Sequence, residues 1–83
     1  MRRLPSLTAL RFFEERARHM SFNQSATALC VTPGAVSRQI RLLEDALGAK
    51  LFDRDHRGIR LTSQGSELFA CVSEAFDSIE RVT

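Results

Sequence analysis

The chain has 83 residues, of which 43% are hydrophobic, and its formal net charge at pH 7 is +2. A chain of this length forms one small domain with a thin core, because it buries only about 60–65% of its unfolded surface. No apolar run is long enough to cross a bilayer, and the N-terminus lacks the unbroken apolar core of a signal peptide. These features predict a cytoplasmic protein without a membrane segment.

The sequence contains no catalytic or metal-binding pattern. Cys30 and Cys71 support neither a disulfide framework nor paired ligand spacing, and we predict that both are buried free thiols. His19 and His56 stand alone, and there is no glycine-rich phosphate loop. We therefore predict no enzyme activity, no metal and no cofactor.

Charge is distributed unevenly along the chain. Residues 1–37 carry five basic and two acidic side chains, residues 38–60 carry six and four, and residues 61–83 carry one and four. Eleven of the twelve basic residues are arginines, whose planar guanidinium suits phosphate and guanine. This asymmetry is typical of a protein that places one face on phosphates.

The first predicted helix covers residues 5–18, with Ser6 as its cap. Phe12 either adds to the core face of this helix or contacts a partner. The core stripe recurs at spacings of three and four and consists of Leu7, Leu10, Phe13 and Ala17. The charged residues are predicted to form a solvated face, which consists of Arg11, Glu14, Glu15, Arg16 and Arg18.

The next two predicted helices have the pattern of a helix-turn-helix over residues 21–47. In the first of them, Ala26 and Leu29 form one apolar face. Thr32 is a suitable N-cap for the second helix, and Pro33 falls at its first position, where the missing N–H costs nothing. The second helix ends at Gly48, which suits a left-handed backbone. Its apolar stripe consists of Val36, Ile40, Leu43 and Leu47.

In a helix-turn-helix, the second helix enters the major groove of DNA. The alternative is a solvated polar face, which any amphipathic helix has. Asn23, at the start of the preceding helix, either contacts a phosphate or only caps that helix. The outer face of the second helix carries residue types that bond to phosphates and base edges, namely Ser37, Arg38, Gln39 and Arg41.

The stretch that follows predicts a small β-hairpin, a wing, over residues 50–62. Two short apolar runs, Leu51-Phe52 and Ile59-Leu61, flank a polar segment that contains glycine. Arg57 at the tip is well placed to enter a narrow minor groove, which attracts arginine electrostatically. Arg54 also lies on the wing, where it either contacts DNA or pairs with a nearby carboxylate.

The last predicted helix covers residues 63–82, with Thr62 as its N-cap, and it is about 30 Å long. Gly65 costs helix propensity and therefore indicates close packing. The apolar face exceeds what the core of the domain needs, so we predict that the helix pairs with its copy in a second chain. The alternative is a helix packed along its own domain. The predicted dimer contacts are Leu68, Val72, Phe76 and Ile79.

A set of residues with consistent spacing spans nearly all of the chain. It comprises Arg18-His19-Met20-Ser21-Phe22, Ala26, Leu29, Val31-Thr32, Ala35-Val36-Ser37-Arg38-Gln39-Ile40, Leu43-Glu44, Leu47-Gly48, Leu51-Phe52, Arg54, Arg57-Gly58, Leu61-Thr62 and Gly65. In these residues the chain resembles the N-terminal DNA-binding domain of LysR-type transcriptional regulators. It looks most like the branch of the glycine-cleavage and β-lactamase regulators.

The resemblance implies a mostly α fold with a small β-hairpin. Residues 1–62 would form a winged helix-turn-helix, and residues 63–83 a linker helix that forms dimers. It also implies a transcriptional regulator that binds an interrupted palindrome in double-stranded DNA, with the recognition helix in the major groove and the wing in the minor groove. Family members carry a separate domain for a small-molecule effector and usually form tetramers. That domain lies outside these residues, so we expect the chain to be part of a longer protein.

Residue roles carry over by position. Pro33 replaces a polar residue of many members, and with Gly34 it leaves only apolar contact with a thymine methyl at that end of the helix. The positional matches are Ser37 and Arg38 with the readers of the major groove, Arg57 with the wing residue of the minor groove, and Thr32 with a phosphate-contacting cap.

The residues alone also allow a second class of function, a winged helix that binds proteins instead of DNA. The low net charge allows this class, whereas Arg38, Arg41 and Arg57 on one surface disfavour it. An enzyme is the third class, and the lack of a site disfavours it. A DNA-binding protein must show salt-dependent affinity, because neutralising phosphates releases counterions.

Overall fold

The structure, a computed structural model, describes residues 3–19, 22–56 and 58–83, and it describes the backbone alone for Phe22 and Asn23. Within these residues, four helices and one antiparallel hairpin follow each other in the order α1 (Leu7–His19), α2 (Phe22–Leu29), α3 (Pro33–Leu47), β1 (Phe52–Asp55), β2 (Gly58–Leu61) and α4 (Ser63–Val82). This order confirms the mostly α fold with a small hairpin. None of the described helices has the length and apolar content needed to cross a membrane.

Helix α1 begins at Leu7, two residues later than the predicted start. Ser6 acts as its cap, because its hydroxyl oxygen accepts a hydrogen bond from the N–H of Ala9 at 3.3 Å. Leu7 is 64% exposed, so its predicted place in the core is wrong. It lies in the first turn, where the helix extends beyond the core. Phe12 packs against a buried cluster and so adds to the core.

The predicted solvated face of α1 is partly buried. Glu14 is 3% exposed and Arg16 is 1% exposed, because α1 packs against α2, α3 and α4 at once. The carboxylate of Glu14 accepts hydrogen bonds from Arg18 and from the hydroxyl of Ser73 on α4, the latter at 3.1 Å. Arg16 lies over the ring of Phe52, with its guanidinium carbon 5.2 Å from the ring centroid.

The helix-turn-helix is confirmed, and its local signals act as the sequence predicts. Thr32 has an extended backbone, and its hydroxyl accepts from the N–H of Ala35 at 3.2 Å. Pro33 is the first residue of α3. Gly48 ends the helix in the left-handed conformation, with φ of 66°, and donates its N–H to the carbonyl of Glu44 at 2.8 Å.

The stripe of α3 is buried as predicted except at its last residue. Leu47 is 41% exposed, because the final turn of the helix extends past the core. Buried residues form two clusters, and Phe52 packs against both. The larger cluster consists of Ala9, Leu10, Phe13, Leu43, Leu51 and Val72, and the smaller one consists of Ala26, Val36 and Ile40.

The two strands of the wing pair antiparallel, from Phe52 opposite Leu61 to Asp55 opposite Gly58. An isolated two-stranded ribbon is only marginally stable, so the wing depends on its packing against the helices. Leu51 is buried just before the first strand, and Phe52 and Leu61 pack against the larger cluster.

Helix α4 has the predicted bounds, and Thr62 caps it by accepting from the N–H of Gly65 at 3.0 Å. Val72 lies inside the core of its own chain, so its predicted role as a dimer contact is wrong. Leu68 and Phe76 are half-buried and pack against the same core. Ile79, in the part of the helix beyond the core, is 57% exposed.

Both cysteines are exposed, and the predicted burial of the two thiols is wrong. Cys30 lies in the turn between α2 and α3, where its φ of 58° is left-handed. Cys71 lies on α4 immediately before Val72, which points into the core. Neighbouring residues of a helix point about 100° apart, so an apolar sequence context did not imply burial of Cys71.

Candidate nucleic-acid interface

Helix α3 turns one continuous polar surface away from the core. Arg38 and Arg41 are exposed on it, and Ser37 is half-buried at its edge. Because successive residues turn by about 100°, Gly34, Ser37, Arg38 and Arg41 lie within an arc of about 100°. Gln39 lies about 100° beyond Arg38, on the other flank of the helix. The structure therefore brings together four of the five predicted major-groove residues, with Pro33 just outside the arc, and leaves Gln39 to one side.

The N-terminus of α3 is open to solvent at Thr32, Pro33 and Gly34. An added Cβ at Gly34 would meet no heavy atom within 4 Å, so the backbone has room for a close approach. The hydroxyl of Thr32 already accepts from Ala35. A hydroxyl also has one proton to donate, so capping leaves Thr32 able to donate to a phosphate.

An open cleft of about 550 Å³ separates α3 from the wing. Arg54 lies in the wall of this cleft on the wing side. The ion pair of the wing that the described residues show joins Arg60 to Asp55 at 3.4 Å, and in this part of the chain Arg54 pairs with no carboxylate. The polar lining of the cleft consists of Ser37, Arg41, Glu44, Lys50, Asp53 and Arg54.

The tip of the wing lies between Asp55 at the end of β1 and Gly58 at the start of β2. Arg57, the predicted minor-groove residue, lies outside the described residues, and so does the side chain of Asn23. Their roles remain predictions. Gly58 follows the loop with φ of 123°, a left-handed conformation that favours glycine.

Glu44 connects α3 to the start of the wing by hydrogen bonds, a role that the sequence did not indicate. Its carboxylate accepts from the N–H of Leu51 at 2.8 Å and from the N–H of Phe52 at 3.4 Å. On the other side, Thr62 donates its hydroxyl to the carbonyl of Lys50 at 2.6 Å. These bonds join residues 7–12 positions apart, so no periodicity could have predicted them.

A second buried group, Arg16, lies beneath the wing. Burial lowers the pKa of its guanidinium, and the positive charge of Arg54 lowers that pKa further. The positive charge of Arg16 lies beneath the wing, although the sequence predicted Arg16 on a solvent-exposed face of α1. No residue pattern signals this, because Arg16 is buried by contacts with elements far away in the sequence, Phe52 of the wing among them.

The described residues contain no group of three or more His, Cys, Asp or Glu side chains that could hold a metal ion.

A helix-turn-helix followed by a β-hairpin and a further helix is the architecture of winged helix-turn-helix domains. The sequence model of the family described as "Bacterial regulatory helix-turn-helix protein, lysR family" matches residues 7–66. The chain belongs to this family, which confirms the predicted resemblance.

Regulators of this type are similar to the chain along nearly its whole length. The glycine cleavage system transcriptional activator of Escherichia coli (strain K12) is 48% identical over 82 residues, which are 99% of this chain and 27% of that protein. The transcriptional regulator TrpI of Pseudomonas aeruginosa is 52% identical over 81 residues, which are 98% of this chain and 28% of that protein. The activator AmpR of Citrobacter koseri is 49% identical over 76 residues, which are 92% of this chain and 27% of that protein. The chain thus spans little more than a quarter of the length of these relatives.

Solved structures give the same fold. The BenM DNA-binding domain in complex with benA site 1 DNA has a TM-score of 0.85 at 28% identity, covering 94% of this chain and 88% of that one. The CbnR DNA-binding domain in complex with DNA has a TM-score of 0.81 at 28% identity, covering 94% of this chain and 90% of that one. OxyR of Corynebacterium glutamicum, a C206S mutant, has a TM-score of 0.84 at 28% identity, covering 98% of this chain and 26% of that one.

Proposed function

We propose that this domain binds specific sequences of double-stranded DNA as the DNA-binding part of a transcriptional regulator. The observation that carries the proposal is the exposed arc of α3, which presents Arg38 and Arg41, and Arg41 also lines the cleft beside the wing. Guanidinium groups on the outer face of the second helix are positioned to bond to guanine in the major groove. The related BenM and CbnR domains, whose structures are DNA complexes, support the same use of the fold.

The residues on this surface divide by the part of DNA that they reach. Base edges in the major groove are assigned to Ser37, Arg38 and Arg41, with apolar contact from Pro33 and Gly34. Phosphate contacts are assigned to Thr32, Asn23 and Gln39, and wing contacts with the minor groove to Arg57 and Arg54.

Residues 1–62 are proposed as the DNA-binding unit, comprising the helix-turn-helix over 21–47 and the wing over 50–62, and residues 63–83 as a linker helix that joins two chains. The exposed Ile79 and Val82, with the half-buried Leu68 and Phe76, supply the apolar contact. Two recognition helices related by a two-fold axis bind half-sites about one helical turn apart or further, which makes the site an interrupted palindrome.

Ile79 offers the sharpest test of the dimer. Ile79→Glu removes an exposed apolar side chain and leaves the core intact, whereas a charge at Phe76 would disturb the core as well. We expect Ile79→Glu to sediment as a monomer. Ala70→Glu is the control, because Ala70 is exposed on the opposite side of α4 and should keep the dimer. A dimeric Ile79→Glu variant would contradict the assignment of the linker helix.

For the whole protein, we propose a cytoplasmic transcriptional regulator without enzyme activity. A separate effector-binding domain would follow the linker helix, and the full-length protein would form tetramers. The lengths of the relatives, of which this chain matches 27–28%, support a longer protein.

The DNA-binding function is tested by selection from random double-stranded DNA, followed by titration of the selected sequence at two salt concentrations. We expect an interrupted palindrome and a steep loss of affinity with salt, about 0.9 logarithmic units per tenfold change in salt for each phosphate contacted. Salt-dependent binding without a selected motif would mean that only the backbone is recognised. Absence of binding would favour the winged helix that binds proteins.

Arg38→Ala then tests the recognition helix. We expect a loss of about 1–3 kcal/mol and relaxed preference at one position of the site. Arg11→Ala is the matched control, because Arg11 is an exposed arginine on α1, away from the arc of α3. An equal loss on all sequences would instead make Arg38 a phosphate contact.

A further inference from the structure

Arg16 is the most buried large charged side chain among the described residues, at 1% exposed. It projects from α1 toward the first strand of the wing, with its guanidinium carbon 5.2 Å from the ring centroid of Phe52. The same ring packs against Phe13 at 5.6 Å between centroids. A cation over an aromatic ring away from water is attracted by the ring, so Arg16 has a defined place under the wing.

Arg54 shares a face of β1 with Phe52, because side chains two residues apart in a strand point the same way. That face turns toward the helices, since Phe52 packs against both buried clusters. Arg54 is exposed, and it lines the cleft between α3 and the wing. Arg16 and Arg54 therefore both lie near Phe52, with Arg16 buried against its ring and Arg54 exposed at the cleft.

We propose that Arg16 is a positioning residue for DNA binding, because its buried charge repels Arg54 outward to the mouth of the cleft, where a phosphate at the edge of the minor groove neutralises it. The inference rests on the DNA-binding function proposed above. Burial of the Arg16 charge and the proximity of Arg54 act in the same direction, since each lowers the pKa of the Arg16 guanidinium. A phosphate at the cleft would attract both cations.

The charges around the cleft favour an anion at this position. Its lining carries three basic side chains, on Arg41, Lys50 and Arg54, and two carboxylates, on Glu44 and Asp53. The carboxylate of Glu44 already accepts from two backbone N–H groups. Arg16 adds a further positive charge that lies too deep to meet the phosphate and acts through Arg54.

The experiment measures binding of the full 83-residue chain to a random-sequence 20-base-pair duplex by fluorescence anisotropy over a range of salt. Phosphate contacts carry no sequence information, so the operator is not needed. Arg54→Gln should lower the affinity about 8-fold at 0.1 M salt. It should also reduce the slope of log affinity against log salt concentration by about 0.9, and both values are those of one phosphate contact. Arg16→Met should lose affinity and slope in the same direction, and Arg16→Lys, which keeps the charge, should stay within about 2-fold of the native chain.

The double variant with Arg16→Met and Arg54→Gln distinguishes a positioning role of Arg16 from a general loss of folding. If Arg16 acts through Arg54, adding Arg16→Met to Arg54→Gln causes no further loss. If the two losses multiply, or if Arg16→Met leaves affinity and slope unchanged, the inference is wrong. If the native chain itself shows no salt-dependent binding, the proposed DNA-binding function is wrong. If the native chain binds but the affinity losses of the two substitutions multiply, only the proposed role of Arg16 is wrong.

A measurement without DNA tests the repulsion directly. Arg54→Gln should raise the Tm of the native chain, because it removes a like charge near Arg16, and it should not raise the Tm of Arg16→Met. Arg16→Met is expected to fold, because the flexible methionine side chain has a similar length and fills the buried space beside Phe52. If Arg54→Gln changes the Tm equally in the native chain and in the Arg16→Met variant, the proposed coupling between Arg16 and Arg54 is wrong.

Discussion

Replacing Gly65 by alanine tests how tightly α4 packs against the wing. An added Cβ at this position would lie 2.1 Å from the carbonyl oxygen of Leu51 and 3.1 Å from a methyl carbon of Leu61. Ordinary contacts between heavy atoms are about 3.5–4.0 Å, so the helix and the backbone of Leu51 must separate by more than about 1 Å. The obstructing atom belongs to the backbone and cannot move aside by a rotamer change.

The expected cost combines opposing terms. Alanine is favoured over glycine in a helix by about 0.5–1 kcal/mol, which acts in favour of the variant. Overpacking costs about 1–3 kcal/mol. The separation also strains the hydrogen bond from the N–H of Thr62 to the carbonyl of Leu51, worth about 0.5–1.5 kcal/mol. We expect Gly65→Ala to be destabilised by about 1–3 kcal/mol, which lowers the Tm by roughly 5–15 °C.

Gly34→Ala is the matched control, because both glycines lie in the first turn of a helix with φ outside the left-handed region. Gly34 has no heavy atom within 4 Å of an added Cβ, so the same substitution should stabilise the chain by about 0.5–1 kcal/mol. Thermal unfolding at one protein concentration measures both variants. A Gly65→Ala chain as stable as the native one would refute the close contact between α4 and Leu51.

Substitutions at three further positions test other contacts by urea unfolding. Glu44→Ala leaves the N–H groups of Leu51 and Phe52 without their acceptor and should cost about 1–3 kcal/mol; an unchanged midpoint would contradict these bonds. Thr62→Ala should cost about 1–2 kcal/mol by removing the cap of α4, and Thr62→Ser should restore most of it; equal losses would rule out the hydroxyl as the cause. Leu7→Ser should change the free energy of unfolding by less than about 0.5 kcal/mol, and a larger loss would mean that Leu7 contributes to the core.

Local signals predicted the ends of the helices well. Thr32 and Pro33 placed the start of α3, Gly48 placed its end, and Thr62 placed the start of α4. These residues act through their own backbone geometry or through hydrogen bonds to residues two or three positions away. The outward face of α3, with Arg38 and Arg41, followed from the same local information, because it lies opposite the apolar stripe.

Periodicity predicts the direction of a side chain, but it does not predict what covers it. Leu7, Leu47 and Ile79 lie on the apolar side of their helices, and all three are exposed because the helices extend beyond the small core. Glu14 and Arg16 show the opposite case. They lie on opposite flanks of the apolar stripe of α1, where Ser73 of α4 contacts Glu14 and Phe52 of the wing contacts Arg16.

Several contacts that the sequence did not predict converge on the backbone of Leu51. Its N–H donates to Glu44 from α3, and its carbonyl accepts from the N–H of Thr62 at the start of α4. Gly65 packs directly on that carbonyl, and the side chain of Leu51 is buried in the core. The recognition helix, the wing and the linker helix therefore meet at one residue. Because these three elements are proposed to fix the major-groove contact, the minor-groove contact and the dimer axis, a shift at Leu51 changes all three together. Variants such as Gly65→Ala should then weaken binding to a palindrome more than binding to a single half-site.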